Sequence, residues 1–529
     1  MYSTKPSYVH KVGEQPLKYV TIGQLLEEVA KNFGDRKAII SVHQDKFLTF
    51  SELLDKTDKV AASFKLLNLE KNDRLGIWAP NLLEWCITMM ACARAGLIAV
   101  CLNPVYEAPE IEYYINKTQI KALVSRTAKV RPWETSKQLP SLKTVIRISD
   151  DFKRGTYTFD QILDMASSTE IGIIQKLQLT ISPDDGCSLH FTSGTTGKPK
   201  AALATHFKMI NNGFLIGKRM ELAGKHHTIC VQVPLFHVFG TVGIIMAALN
   251  FASTIVLPTD GYQPEKSLDA VQNRKCTVIT GTPTMFLDLI ETQEKRKEPV
   301  SVEKALLGGA PSAPHLLEQI LKTLNMSKSV YGLTECTASV FQSVPIENSP
   351  FLVYYLQEHV EAKVINDKGE MVPFGTPGEL CIRGYCNMQG YWEDEEKTNE
   401  MLSKDGWLKT GDQFILEEDG SGKAVGRLKD MILRGGENIF PKEIEELVVT
   451  HPPVVEVQVI GTPHKRLGEE VCVCVRIKPQ SHLTLEELAT FCKGKLAYFK
   501  IPTKMAIFEN FPRTASGKIQ KFKLQEMLL

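Results

Sequence analysis

TSGTTGKPK, Thr192–Lys200, is the stretch on which the reading of this chain turns. It follows the half-apolar run CSLHF, Cys187–Phe191, which reads as a strand, so its glycines fall just past a strand end. A loop of small, hydroxylated and glycine residues can wrap backbone N–H groups and hydroxyls around an anion, and Lys198 and Lys200 add positive charge. Phosphate is the natural guest. The Walker A loop does not fit. Gly194 and Gly197 stand too close together, and Pro199 follows Lys198 where a magnesium-holding Ser or Thr belongs. A flexible linker fits poorly too, because strand-like and helix-like segments flank the stretch tightly.

Outward from the loop, short β-branched runs alternate with helical periodicity. IGQLLEEVAKNF (Ile22–Phe33) repeats its apolar residues every three or four positions, AIISV follows as a strand, and a capped amphipathic helix opens near Ser51. Two long apolar stretches imitate membrane spans, but each divides. Trp85–Leu102 contains Arg94 and Gly96 and splits into a helix and a buried strand, and Val242–Pro258 splits at Asn250. The alternation predicts an α/β fold with parallel-rich sheets covered by helices. A β-rich subdomain is expected around GTPGELCIRGYCNMQGYW (Gly375–Trp392). From residue 429 the pattern changes to a small α+β unit, so the expected domains are 1–428 and 429–529.

With 529 residues, the chain is too long for one core. A net charge of +1 gives no electrostatic case for nucleic acid or an acidic membrane surface. Its 12 cysteines are scattered, and Cys472 and Cys474 alternate with valines in VCVCV as one face of a strand, so a reducing compartment is expected rather than a metal site. No secretory signal is read at the start. Met1–Lys11 carries Lys5, His10 and Lys11 without an acid, a poor and short mitochondrial presequence, and EMLL at the end is not a peroxisomal address.

Beyond the loop, PLFHVFG carries His237 in an aromatic-rich turn, and ALLGGAP ends a strand at the glycine pair Gly308–Gly309, followed by Ala310. VYGLTEC offers an aromatic (Tyr331), a glycine (Gly332), a hydroxyl (Thr334) and a carboxylate able to hold magnesium on a nucleotide (Glu335). GWLKTGD is read as setting Asp412 at a turn, where a carboxylate can accept two ribose hydroxyls, and Arg427 follows as a fork of donors. Any one of these residues read alone is an ordinary turn acid or surface charge. Near the end, PRTASGKIQK presents Lys518 behind Gly517.

Taken in order from about Thr21 to the end, these motifs resemble the adenylate-forming, AMP-binding superfamily, which includes the acyl-CoA synthetases. GELCIRGYCNMQGYW, KDMILRGGENIFPKEIEE and SGKIQKFKLQE are most similar to the mitochondrial medium-chain acyl-CoA synthetases of "family member two". The resemblance implies a ligase that uses ATP, Mg2+ and coenzyme A to activate a fatty acid, as a monomer or weak oligomer. It implies that Thr192, Ser193, Gly194, Thr195, Thr196, Gly197, Lys198, Pro199 and Lys200 hold phosphate, and that Gly309, Ala310, Tyr331, Gly332, Asp412 and Arg427 hold the nucleoside. Lys518, Thr334, Glu335 and His237 take catalytic roles on this reading, Glu335 as the magnesium ligand. Gly436 leaves room for pantetheine, and the small domain is mobile about Lys429. A mitochondrial location follows from the resemblance, with the cytoplasm as alternative.

Two departures stand out. Ala201 replaces a usual glycine, so a methyl is expected to crowd the loop. FLVYYLQEHVEAKV (Phe351–Val364) puts Tyr354, Tyr355 and Leu356 where a glycine turn beside the nucleotide is usual. These departures leave an inactive adenylate-binding protein open beside the ligase, and adenylation without CoA transfer is a second alternative, against which the RGGEN segment counts.

Overall fold

The computed structural model describes residues 5–106, 108–126, 139–149, 153–192, 199–296, 300–309, 314–324, 327–345, 352–434, 437–514 and 517–528. Its early helices begin where threonine side chains turn back on the backbone. Thr21 caps Ile22–Phe33 in a reciprocal box with Gln24, and Thr49, rather than the expected Ser51, caps Phe50–Leu66 with Glu52. Each such cap stabilises by about 1 kcal/mol. The first apolar stretch divides as read. A helix, Leu83–Ala95, ends at Gly96 in the left-handed region (φ +70°), and the buried strand Ile98–Cys101 follows. In the second, Phe239–Met246 winds as a wide π-helix before Ala247–Asn250, and Thr254–Leu257 is the strand.

Among the described residues the strands form sheets of 14, 7 and 5. Six strands of the largest meet the parallel expectation: Lys37–Ser41, Thr254–Leu257, Thr228–Val231, Val278–Gly281, Lys304–Leu307 and Ser327–Tyr331 lie side by side and parallel, with Lys46–Thr49 antiparallel at the edge beside Lys37–Ser41. The other half is antiparallel throughout. It runs from Phe341–Pro345 through Leu352–Leu356, Ser421–Arg427, Leu408–Leu416 and Gly378–Gly384 to Val360–Ile365, with Tyr8–Lys11 at the edge. The basic start read as a poor presequence is thus, from Tyr8 on, a paired strand. In the 7-stranded sheet all neighbours are parallel except Lys200–Thr205 against Gly186–Thr192.

The last sheet belongs to the C-terminal unit. Val454–His464 and Gly468–Ile477 make its long hairpin, Lys504–Ile507 pairs parallel with the second of these, and Pro441–Val448, Leu485–Cys492 and Lys521–Leu528 are its helices. A short 3-10 turn, Leu428–Asp430, separates this unit from the strand Ser421–Arg427. All 12 cysteines are buried free thiols, Cys472 and Cys474 inside the small core as expected.

Both expected obstacles resolve differently. Ala201 is fully buried, and its methyl belongs to a cluster with Trp78, Val100 and Leu189, inside the strand rather than in the loop. Leu352–Leu356 is an ordinary strand, and the chain turns after it, with His359 taking the left-handed conformation (φ +61°). Tyr354 is held by a 2.8 Å hydrogen bond to Ser329, Leu356 is buried, and Arg219 donates to the carbonyls of Tyr355 and Leu356.

Candidate active site

The strands on either side of residues 193–198 form a hairpin, not a strand–helix junction. Thr192 ends one strand, Lys200 begins the next and stands opposite it, and helix His206–Arg219 follows only after Thr205. Ser193, Gly194, Thr195, Thr196, Gly197 and Lys198 lie outside the described residues, as do Ala310 and Gly436. At the loop's far end the Pro199 carbonyl accepts from the Tyr113 hydroxyl at 3.2 Å, and the Lys200 ammonium stands 4.6 Å over the Tyr391 ring.

Tyr391 was not singled out from sequence, although GYW (Gly390–Trp392) lay in a quoted segment. Its hydroxyl donates to Glu335 Oε1 at 2.7 Å, and its segment is stitched to the strand after the loop by Leu203–Gly390, Gln389–Leu203 and Trp392–Ala201 backbone bonds. One aromatic ring therefore connects the base of the phosphate loop to Glu335. Among the described residues no hydrogen bond reaches Glu335 Oε2, and no group of three or more His, Cys, Asp or Glu gathers that could hold a metal. A single carboxylate with one open oxygen fits a magnesium ion held mainly by substrate phosphates.

Glu335 sits in a short 3-10 turn, Thr334–Cys336, behind the strand that ends at Tyr331. Thr334 opens that turn. Gly332 is there for want of space: a Cβ would meet the Ala338 carbonyl oxygen at 2.0 Å. Asp412 lies inside the strand Leu408–Leu416 rather than at a turn, paired with Arg427 on the neighbouring strand. Gly411 before it is left-handed (φ +68°), and the register shifts just after it. Asp412 Oδ2 accepts from the Tyr331 hydroxyl at 2.6 Å, and Oδ1 takes Arg427 Nε at 2.7 Å. Burial raises the Asp412 carboxyl, while Arg427, Tyr331 and Lys518 pull it back down. A carboxylate has about four acceptor positions, so Asp412 keeps capacity for further hydroxyls.

Lys518 comes into this group from the small domain. A Cβ on Gly309, itself left-handed at φ +86°, would stand 3.9 Å from Lys518 Cε. Burial lowers the Lys518 ammonium and the Arg427 charge lowers it further, while Glu335 and Asp412 hold it up. The same ammonium acts on His237. Burial, then Lys518 and His190, brings the His237 imidazole down to about 3. His237 Nδ1 accepts from the Phe239 backbone N–H at 3.2 Å, which assigns the ring proton to Nε2. His190, brought down to about 4 by burial, bonds the Phe236 carbonyl through Nδ1 at 3.2 Å and Ser188 through Nε2 at 2.9 Å, and so steadies the turn that carries His237.

The structure therefore brings Tyr331, Glu335, Asp412, Arg427, Gly309, His237 and Lys518 together, with Thr192 and Lys200 joined through Tyr391. It presents a hydroxyl-accepting carboxylate, a carboxylate with an open oxygen and a lysine amine in one group, with the two ends of the 193–198 segment beside it.

The profile described as AMP-binding enzyme matches residues 26–392, and that described as AMP-binding enzyme C-terminal domain matches residues 443–518. The "Medium-chain acyl-CoA ligase ACSF2, mitochondrial" of Danio rerio is 38% identical over 549 residues, covering 98% of this chain and 90% of that protein. Among solved structures, an anthranilate CoA ligase, AuaEII, shares the fold with a TM-score of 0.87 at 23% identity, covering 97% of this chain and 98% of its own. The o-succinylbenzoate CoA synthetase MenE of Bacillus subtilis, solved with ATP and magnesium, has a TM-score of 0.78 at 26% identity and covers 95% of this chain and 98% of its own. The chain belongs to the AMP-binding enzymes, the adenylate-forming superfamily, as an acyl-CoA synthetase of the AMP-forming acid–thiol ligase class.

Proposed function

We propose that this ligase activates a medium-chain fatty acid with ATP and transfers the acyl group to coenzyme A. The observation that carries the reading is the convergence of Lys518, from the small domain, on Asp412, Arg427 and Glu335 of the large one. The ACSF2 relatives support the medium chain length and a mitochondrial setting, and the MenE complex supports ATP with magnesium. Among the described residues no helix is long and apolar enough to cross a membrane.

In the first half-reaction a carboxylate oxygen attacks the α-phosphorus of ATP. The bond from that phosphorus to the bridging oxygen breaks, and pyrophosphate leaves with the electron pair. Lys518 offsets charge gathering on the phosphoryl and carboxylate oxygens, and Thr192–Lys200 holds the departing pyrophosphate. Asp412, steadied by Arg427 and Tyr331, takes the ribose hydroxyls, and Gly309 lies against the purine. His237, neutral with its proton on Nε2, donates to the substrate carboxylate. Glu335 would hold magnesium, whose chemistry is to neutralise phosphate charge. In the second half-reaction the thiol sulfur of coenzyme A attacks the acyl carbon and the bond to the adenylate oxygen breaks. AMP leaves, and the thiol proton passes to solvent. The small domain turns about Lys429 between the two, withdrawing Lys518 and bringing Arg434–Asn438, with Gly436, to the thiol.

The test is AMP release from ATP over straight-chain acids from butyrate to stearate and a set of aryl acids, with and without coenzyme A. The expected result is AMP formation that needs coenzyme A and peaks at octanoate-like lengths. A Lys518→Ala variant should lose about a hundredfold or more, the scale of removing one group that stabilises transition-state charge. AMP without coenzyme A dependence would move the protein to adenylation alone, and ATP binding without AMP from any acid would make it an inactive homologue.

A further inference from the structure

The loop that carries Lys518 is tied to itself and, through one guanidinium, to the other domain. Arg513 pairs across the loop with Ile519, Thr514 N donates to the Lys518 carbonyl at 2.7 Å, and Lys518 N donates to Thr514 Oγ1 at 3.1 Å. Arg513 Nη1 then points two ways. It donates to the Gly517 carbonyl at 3.2 Å and to Thr284 Oγ1, across the domain boundary, at 2.7 Å. Thr284 lies in the first turn of helix Pro283–Glu294, which Thr282 caps. The same turn meets the loop again at Gly517, where a Cβ would stand 3.2 Å from Thr282 Oγ1 on a left-handed backbone of φ +81°. Any side chain there would be crowded by the Thr282 hydroxyl and strained by the left-handed backbone, which favours glycine.

The division of partners matters. The ionic partner of Arg513 is Glu456, which also pairs with Arg476 at 3.4 Å, and all three belong to the small domain. On the large-domain side, among the described residues, Arg513 hydrogen-bonds only the Thr284 hydroxyl, while Asp288 of the same helix attracts Arg513 and Arg476 without a hydrogen bond. The guanidinium thus keeps Glu456 when the small domain leaves, and gives up one hydrogen bond to a hydroxyl together with the longer-range attraction of Asp288. A carboxylate in place of Thr284 would hold the closed state much more strongly.

We propose that Arg513 is a positioning residue for the first half-reaction, a releasable latch that fastens the Lys518 loop to the Thr282–Thr284 turn. The latch rests on the reading of Lys518 as the adenylation lysine. Losing it leaves Lys518 chemically intact but delivers it less often, so adenylation slows while thioester formation does not.

The half-reactions separate the two. Octanoyl-adenylate formation from octanoate and ATP is followed in a single turnover without coenzyme A, and AMP release is followed after mixing preformed octanoyl-adenylate with coenzyme A. Arg513→Met is expected to slow the first by about tenfold, the scale of one hydrogen bond from a charged donor, and to leave the second at the wild-type rate. Arg513→Lys should recover part of the loss. Thr284→Val, measured in the first half-reaction only, should cost a similar factor, and the Arg513→Met/Thr284→Val pair should be no slower than the worse single variant. Equal losses in both half-reactions for Arg513→Met, or multiplied losses in the pair, overturn the latch. Lys518→Ala distinguishes its failure from that of the underlying reading. If that variant adenylates normally, the role of Lys518 falls and takes the latch with it; if it fails while Arg513→Met is normal, only the latch falls.

Discussion

At His237 a motif residue acquires a defined protonation state. The sequence offered an aromatic–His segment and nothing about charge. Burial, the Lys518 ammonium and His190 hold the imidazole at about 3, below the ordinary value of about 6.5. The sign follows directly. The ring is neutral at every pH above about 3, so nothing changes at His237 across the physiological range, and it serves as an Nε2–H donor rather than as a base. The adenylation rate of the wild type should therefore show no limb near 6.5 that disappears in His237→Gln, although that variant should be slower overall by about tenfold, one donor's worth. A limb near neutrality lost on substitution would assign His237 a titrating role. Lys518, whose ammonium is lowered by burial and Arg427, should set the alkaline limb, below the free-lysine value of about 10.4. Single residues were legible only through the ordered motifs that hold them: Glu335, Arg427 and Lys518 were picked out by their segments, and the structure places them near one another. Tyr391 and Arg513 did not, because their importance lies in partners distant in sequence, Glu335 for the first and Thr284 for the second.

At the scale of elements, Arg94 shows how one charge separates two readings of an apolar stretch. It counted against a membrane span, and in the fold it is fully buried at the C-terminal end of helix Leu83–Ala95. There it donates to the Gly23 carbonyl at 3.1 Å, pairs with Glu27 at 2.7 Å and forms an ion pair with the buried Asp58, so it ties Ile22–Phe33 and Phe50–Leu66 to its own helix. Arg94→Leu should destabilise by about 3–5 kcal/mol, because Asp58 is left buried without its countercharge. The paired change Arg94→Leu/Asp58→Leu should restore part of the loss. Chemical denaturation of the three proteins checks this, and a single variant within about 0.5 kcal/mol of wild type would mean the triad contributes little. The elements themselves were largely readable, since 3.6-residue periodicity and β-branched runs report local geometry. Strand partners were less so. The antiparallel half of the large sheet and the hairpin under the phosphate loop depend on which distant strands meet, and Asp412 read as a turn residue because Gly411 imitates one inside a strand.

For the whole molecule, the distribution of hydrophobic clusters decides what can move. Among the described residues every cluster is built either from residues up to Ala424 or from Ile432 onward, and none spans the two sets. What crosses is polar: Lys442 donates to the Ala424 carbonyl, Lys423 reaches Glu446 at 3.5 Å, and Arg513 reaches Thr284. Polar contacts exchange with water at small net free-energy change, whereas breaking a shared apolar core exposes area at roughly 25 cal/mol per Å2. The two units should therefore separate without unfolding, as a hinge at Lys429 requires. The chain ended after residue 428 should fold by itself and keep the nucleotide-facing groups Tyr331, Glu335, Asp412 and Arg427, while lacking Lys518. It should bind ATP to within about tenfold of the full chain, one strong contact's worth, yet form acyl-adenylate no faster than Lys518→Ala of the whole protein. Calorimetry gives the complementary reading, two unfolding transitions in the full chain and the larger one alone in the shortened protein. If the shortened chain is unfolded, the polar seam is a structural interface rather than a docking surface, and rotation of an intact small domain cannot be how Lys518 leaves the site.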